Sequence, residues 1–257
     1  MAKIEAPFQI KGTLDELNFY VQSGENYVRL KGKSGITKEQ FATNPIFDRI
    51  KQHSSEFRTC VKKSSVFRTL AKTFFDQAKE VSFAGRVNKL LFEILSEDTE
   101  NQIGSRTIEK GLQSEHLEEI IIGFEANKMR PLKKVLPKNI LFIWEQNKLN
   151  LQEINPEQDF YWPEEEANQV HLQLAIANWN SKEDLCENQY SNEIILEKTN
   201  TTSKIDFTVK SLSSKEIVIA FLFIGFSIKK RNKTKLLHRK WNTTTIIGIQ
   251  NHLSPKL

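Results

Sequence analysis

The chain has 257 residues, of which 27% are charged and 10% are aromatic, and its formal net charge is +5. This length corresponds to one or two domains and is sufficient for a hydrophobic core without disulfides or metal ions. The composition is that of a folded protein and excludes a disordered chain.

The charge is unevenly distributed along the chain. Residues 151–200 carry a net charge of −9, whereas residues 201–257 carry +9 and residues 51–90 carry +6. Segments of opposite charge can pair within one fold, or they can form the two sides of a head-to-tail contact between copies. The sequence leaves both arrangements open.

The N-terminal section, residues 1–135, is predicted to be a β-hairpin followed by a helical arm. Apolar residues alternate on both sides of a turn at 23–26, which favours a hairpin. Asn44-Pro45 is typical of a helix start. Apolar residues at three- and four-residue steps then predict one helix over 45–79 and a second over 83–95. A strand is expected near 120–124.

The C-terminal section, residues 136–257, is predicted to be an antiparallel β-sandwich of the Ig-like kind. The clearest signal is the strict alternation of apolar residues from Val170 to Ile176. The apolar run 217–226 is half the length of a bilayer span and is rich in β-branched residues, so it predicts a strand buried on both faces. About seven strands are expected in this section, and the fold class is therefore α+β.

The opening of the chain also resembles an uncharacterised family of bacterial proteins. The resemblance ends near residue 70 and lies in Ile10-Lys11-Gly12, Phe19-Tyr20, Arg29, Lys31-Gly32, Arg49 and Glu56-Phe57. No activity is assigned to that family. The resemblance therefore implies the order of the parts, with hairpin, basic helices and β-domain in succession, and implies no site.

No catalytic or cofactor-binding motif occurs in the sequence. Neither the glycine pattern of a dinucleotide site nor the G-x-S-x-G pattern of a serine nucleophile is present. The histidines are not spaced as metal ligands. We therefore predict a protein that is not an enzyme and has no catalytic residues, no metal site and no cofactor.

The cellular context is predicted from the cysteines and from the start of the chain. Two isolated cysteines, Cys60 and Cys186, cannot form a disulfide framework. The N-terminal residues lack the apolar stretch of a secretory signal. We expect a cytoplasmic protein without a membrane span.

Two basic stretches are the candidate interaction sites. The candidate residues are Lys62, Lys63 and Arg68 in the first stretch and Lys229, Lys230, Arg231, Lys233, Lys235, Arg239, Lys240 and Trp241 in the second. Cations beside an aromatic ring can bind the phosphates and stack on the bases of a nucleic acid. The same residues can form a solvated hairpin that protects a sheet edge, or they can dock onto the acidic segment of another copy.

Three hypotheses of function follow. The first is a non-enzymatic structural or assembly protein that self-associates through its oppositely charged segments, with a copy of itself or another protein as partner. The second is a nucleic-acid-binding protein that uses the basic helix at 51–79 and the basic hairpin at 229–240. The third is a carbohydrate-binding sandwich, which rests on Tyr161, Trp162 and Trp179 beside acidic residues. A small-molecule ligand is not expected.

Overall fold

The computed structural model describes residues 2–32, 35–144, 147–163, 166–212 and 216–252, apart from the side chains of Gln152 and Ser203. The chain divides into two compact units, Met1–Asp48 and Arg49–Leu257. The domain boundary predicted between residues 135 and 136 stays a prediction.

The first unit is a four-stranded antiparallel sheet followed by short helical turns. Its elements are β1 (Ala2–Ile4), β2 (Gly12–Leu14), β3 (Leu17–Gln22), β4 (Glu25–Leu30), α1 (Lys38–Thr43) and a 3₁₀ turn (Pro45–Phe47), with the strand order β1-β4-β3-β2. The hairpin prediction is confirmed, but its turn has two residues instead of four. Ser23 and Gly24 both have positive φ, 53° and 87°, as a tight hairpin turn requires.

The helices of the second unit precede most of its strands. They are α2 (Asp48–Phe67), α3 (Lys72–Ala78), α4 (Phe83–Ser96), α5 (Ile108–Gly111), α6 (Leu117–Ile121), α7 (Leu132–Val135) and α8 (Pro156–Asp159). The helix predicted over 83–95 is confirmed as α4.

Two predictions in the helical section are wrong. The helix predicted over 45–79 is interrupted between α2 and α3, where Leu70 and Ala71 are fully buried. The Thr69 hydroxyl donates to the Val66 carbonyl oxygen at 2.6 Å, and such local side-chain bonds compete with the helical pattern. Where a strand was predicted, near 120–124, the chain is instead in the last turn of α6 and the residues after it. Leu117 and Ile121 are buried one helical turn apart, which is the spacing of a helix and not of a strand.

The strands of the second unit form two antiparallel sheets. They are β5 (Phe142–Ile143), β6 (Lys148–Ile154), β7 (Gln169–Asn180), β8 (Leu185–Tyr190), β9 (Ile194–Glu197), β10 (Ser203–Thr208), β11 (Ile217–Lys230), β12 (Lys233–Leu236) and β13 (Thr243–Asn251). The larger sheet has the order β12-β11-β7-β8, with β13 also paired to β11 and β9 also paired to β7, and the smaller has the order β10-β6-β5. The predicted α+β class is confirmed.

The larger sheet is buried on both faces, as the apolar run 217–226 predicted. Phe221 and Phe223 of β11 belong to the apolar cluster that contains the helices. Leu222 and Ile224 belong to a second cluster, which contains the small sheet. Because side chains alternate along a strand, this one strand separates two cores.

Gly111 allows α5 to lie directly against α4. A Cβ atom at this position would overlap the carbonyl oxygen of Ile94 and lie 3.3 Å from the Leu95 Cα. Because the obstacle is backbone, we expect Gly111→Ala to lower the free energy of unfolding by about 1–3 kcal/mol. Denaturant unfolding measures this change. Gly85→Ala is the control, since its Cβ would meet no atom within 4 Å; equal stability of the two variants would contradict the assigned packing.

Candidate functional site

An exposed row of leucines crosses the N-terminal sheet. The register places Leu14 opposite Leu17, and Leu17 opposite Leu30. Residues directly opposite each other on neighbouring antiparallel strands share a face. These three side chains are 65%, 39% and 72% exposed, respectively. We call this side of the sheet the apolar face.

The apolar face also carries partly exposed Phe19, Val21 and Val28. The opposite face is polar, with residues such as Lys3, Thr13, Asn18, Gln22, Glu25 and Arg29. Among the described residues between 2 and 48, Asn26 alone is buried. A sheet with one apolar face normally packs that face against another layer. Asn26 lies opposite Val21 on this face and binds the loop at Phe8 and Ile10, but the described part of this unit leaves the row of leucines exposed.

Asn26 fixes the loop before β2 to the sheet. Its Nδ2 donates to the Phe8 carbonyl oxygen at 2.8 Å, and its Oδ1 accepts from the Ile10 amide at 2.9 Å. The side-chain amide of Asn26 thus uses both its donor and its acceptor, as a backbone peptide group does when it pairs with another strand. The loop is therefore held in place although the apolar side chains around it are not buried.

The basic run after β11 forms a hairpin, as the sequence predicted. Lys230 pairs with Lys233 across a turn in which Arg231 has a φ of 55°. Lys229 lies 2.8 Å from Glu197, and Lys230 lies 2.7 Å from Glu166. These exposed ion pairs contribute little to stability. They show that part of the charge of the acidic and basic segments is paired within one chain.

The basic residues of α2 do not share one environment. Lys62 is exposed, whereas Lys63 is largely buried and lies 3.1 Å from Glu109 and 2.8 Å from Asp184. Burial lowers the pKa of Lys63, but its hydrogen bonds to Asp184 and Glu109 outweigh this, and the pKa is raised. Lys63 therefore joins α2 to α5 and to the turn between β7 and β8.

Arg68 and Arg239, from the two separate basic stretches, line one cleft. The cleft has a volume of about 570 Å³, and its other charged lining residues are Lys72, Lys79, Asp76 and Glu80. Lys79 lies 2.6 Å from Asp76. Among the described residues, no carboxylate lies within the 4.0 Å ion-pair distance of Lys72 or Arg239. We call this the basic cleft, and its unpaired cations can attract an anionic partner.

A second, smaller cavity combines cations with aromatic rings. It has a volume of about 310 Å³ and is lined by Met129, Arg130, Lys134, Tyr161, Trp162, Lys240 and Trp241. We call it the aromatic pocket. The sequence assigned Lys240 and Trp241 to an interaction site but did not predict a role for Arg130 or Lys134. The only local signal was an Arg-Pro pair in a connecting segment, which is not specific.

Arg130 is 5% exposed and lies between aromatic rings. Its guanidinium carbon is 5.3 Å from the ring centre of Tyr161, 5.6 Å from that of Phe226 and 5.8 Å from that of Trp241. Its Nη2 donates to the Tyr161 carbonyl oxygen at 2.8 Å. Stacking of this kind is favourable for a guanidinium group.

The residues of the carbohydrate hypothesis are separated in the fold. Trp179 is fully buried in the apolar cluster that contains the helices, and its ring centre is 5.6 Å from that of Phe67. Tyr161 and Trp162 lie in the aromatic pocket. Of the neighbouring acids, Asp159 lies 2.8 Å from Lys138, and Glu164 and Glu165 fall outside the described residues.

Ser227, His171 and Glu193 form a chain of hydrogen bonds with the order of a hydrolase triad. His171 Nε2 lies 2.7 Å from Ser227 Oγ, and its Nδ1 lies 3.0 Å from Glu193. Ser227, however, has no exposed surface, and its hydroxyl donates to Gln169 at 3.2 Å. A hydroxyl without exposed surface is not accessible to a substrate in this structure. We assign this group to the linkage of β7 and β11.

The described residues contain no group of three or more His, Cys, Asp or Glu side chains that could hold a metal ion. No helix in the described ranges is both long and apolar enough to cross a membrane. Comparison of the chain with protein-family models, curated proteins and solved structures found no match.

Proposed function

We propose that this protein is a non-enzymatic assembly protein that self-associates through the apolar face of its N-terminal sheet. The observation that carries the proposal is the exposure of Leu14, Leu17 and Leu30 as one row. Contiguous exposed apolar surface is typical of protein interaction sites. We place the contact here instead of between charged segments, because Lys229 and Lys230 already have partners within the chain.

A second copy of the chain is the partner that best fits this face. The strand positions on the apolar face are free of charged side chains. Two identical faces can therefore meet about a twofold axis without charge repulsion. Sheets stacked in this way lie about 10 Å apart and bury both rows of leucines.

Association through the face is more favourable than association through the sheet edge. The edge strands β1 and β2 have three residues each. Short edge strands offer few unpaired backbone groups to another chain. The proposed interface is therefore formed by apolar side chains, and its strength does not fall when the salt concentration rises.

Light scattering coupled to size-exclusion chromatography tests the proposal. An apolar interface persists when the salt concentration is raised, because screening weakens only charge–charge contacts. We expect an oligomer of the same mass at low and high salt. An oligomer that dissociates at high salt would favour the charged segments instead, and a monomer at all concentrations would refute self-association.

The basic cleft supports nucleic-acid binding as a second candidate function. It brings Arg68 and Arg239 together beside Lys72, although they come from different basic stretches. Each phosphate contact that is lost changes the slope of log affinity against log salt by about 0.7 for a single strand. We expect Lys72→Ala combined with Arg239→Ala to weaken binding of a single-stranded oligonucleotide and to reduce this slope by about 1.4.

Fluorescence anisotropy over a series of salt concentrations measures this effect. Lys89→Ala is the control and removes one positive charge, because Lys89 is an exposed residue of α4 outside the cleft. If each charge removed from the cleft weakens binding no more than the single charge removed in Lys89→Ala, the attraction is diffuse. That result would exclude the cleft as a site.

We also propose that the two sheets of the second unit form the sandwich predicted from the sequence. Leu149 and Phe207 of the small sheet share one apolar cluster with Leu172 and Leu222 of the large sheet. The Ig-like form of this sandwich stays a prediction.

A further inference from the structure

The Arg130 guanidinium is a buried cation without a carboxylate partner. Among the described residues, no carboxylate lies within the 4.0 Å ion-pair distance of it, and its Nε has no hydrogen-bond acceptor. Burial lowers the pKa of Arg130 from its ordinary value. A buried charge is costly unless it is paired, so the aromatic rings around it compensate only in part.

Two further cations lie over aromatic rings of the same pocket. Lys134 Nζ is 5.5 Å from the Tyr161 ring centre, and Lys240 Nζ is 4.7 Å from the Trp241 ring centre. Three positive side chains thus line a cavity of about 310 Å³. A volume of this order is at the lower end of the range for small-molecule sites.

We propose that the aromatic pocket binds a mononucleotide, with its phosphate near Arg130, Lys134 and Lys240 and its base stacked on an exposed ring. Convergent cations favour a phosphate, which carries more charge than a carboxylate. Tyr161 is 54% exposed and offers a stacking surface. This inference is independent of self-association and of the basic cleft, and it reverses the expectation that no small molecule binds.

The tryptophans of the pocket allow a direct titration of the full-length protein. Adenosine 5′-monophosphate is the probe, with adenosine and inorganic phosphate as separate comparisons. We expect a saturable change in tryptophan fluorescence with the monophosphate, and affinities at least about tenfold weaker for either half alone. No saturable change up to about 10 mM would overturn the proposal. Phosphate that binds as tightly as the monophosphate would overturn the nucleotide assignment.

Variants then locate the binding site. Lys134→Ala is expected to weaken the monophosphate about tenfold, since it removes one charge-assisted contact. Lys133→Ala is the control, because this exposed residue of the same helix does not line the pocket. Arg130→Lys keeps the charge but removes the planar fork, and is expected to weaken binding further.

Thermal unfolding shows whether the Arg130 variant is folded. If the Arg130 variant is not folded, the comparison of Lys134→Ala with Lys133→Ala tests whether the monophosphate binds in the aromatic pocket. Equal affinities of these two variants would refute binding in the aromatic pocket.

Discussion

Leu30→Glu is expected to convert the assembled protein into a monomer. Leu30 is the most exposed leucine of the apolar face, at 72%, and pairs with Leu17 on the neighbouring strand. A carboxylate at this position would have to lose its water at the proposed interface, and an unpaired buried charge is strongly unfavourable. We expect the dissociation constant to rise at least about 30-fold, which corresponds to about 2 kcal/mol. Light scattering over a range of protein concentrations measures it.

Thr13→Glu is the matched control for this substitution. Thr13 is exposed on the polar face of the same sheet, so the variant adds the same charge on the opposite side. We expect it to assemble like the unmodified protein, and circular dichroism to show that both variants are folded. If Thr13→Glu dissociates the assembly as strongly as Leu30→Glu, net charge controls association and the apolar face does not.

Glu56→Gln is expected to lower the free energy of unfolding by about 3–5 kcal/mol. The Glu56 side chain is 1% exposed and accepts two hydrogen bonds from Arg106, at 2.8 and 3.0 Å, and one from the Gly104 amide at 2.7 Å. An amide keeps the shape but leaves the Arg106 cation, which is 12% exposed, without its counter-ion. Denaturant unfolding at neutral pH measures the loss.

Glu93→Gln serves as the control, because Glu93 is exposed on α4 and has no ion pair in the described part of the chain. Its effect is expected to stay within about 0.5 kcal/mol. A Glu56→Gln variant as stable as this control would show that the Glu56–Arg106 pair does not stabilise the fold.

The same pair predicts a pH dependence of stability. The Arg106 hydrogen bonds hold the pKa of Glu56 below its ordinary value of 4.5, against the opposing effect of burial. Since the pKa is lower in the folded state, the stabilisation is fully present above pH 4.5 and is lost as the pH falls through the folded-state pKa. The difference in unfolding free energy between the unmodified protein and Glu56→Gln is therefore expected to shrink on acidification. A constant difference would contradict this linkage.

Elements whose signals are local follow from the amino-acid sequence alone. The alternation of apolar residues predicted β7, because side chains alternate along a strand. The continuous β-branched run predicted β11, because a strand that is covered on both faces is apolar throughout. The three- and four-residue spacing predicted α4 in the same way. The interruption after α2 was not predicted, since it depends on the burial of Leu70 and on a single threonine hydrogen bond.

Which faces are covered, and which distant residues meet, depends on how the elements pack in three dimensions. Leu30 and Leu172 lie in similar alternating patterns, yet one is exposed and the other is fully buried. Burial depends on the layers that pack on a strand, and periodicity does not identify them. Arg130 and Trp241 are likewise far apart in the chain and adjacent in the aromatic pocket. The physical reason is that packing of whole elements sets such distances, whereas sequence patterns report only the local conformation.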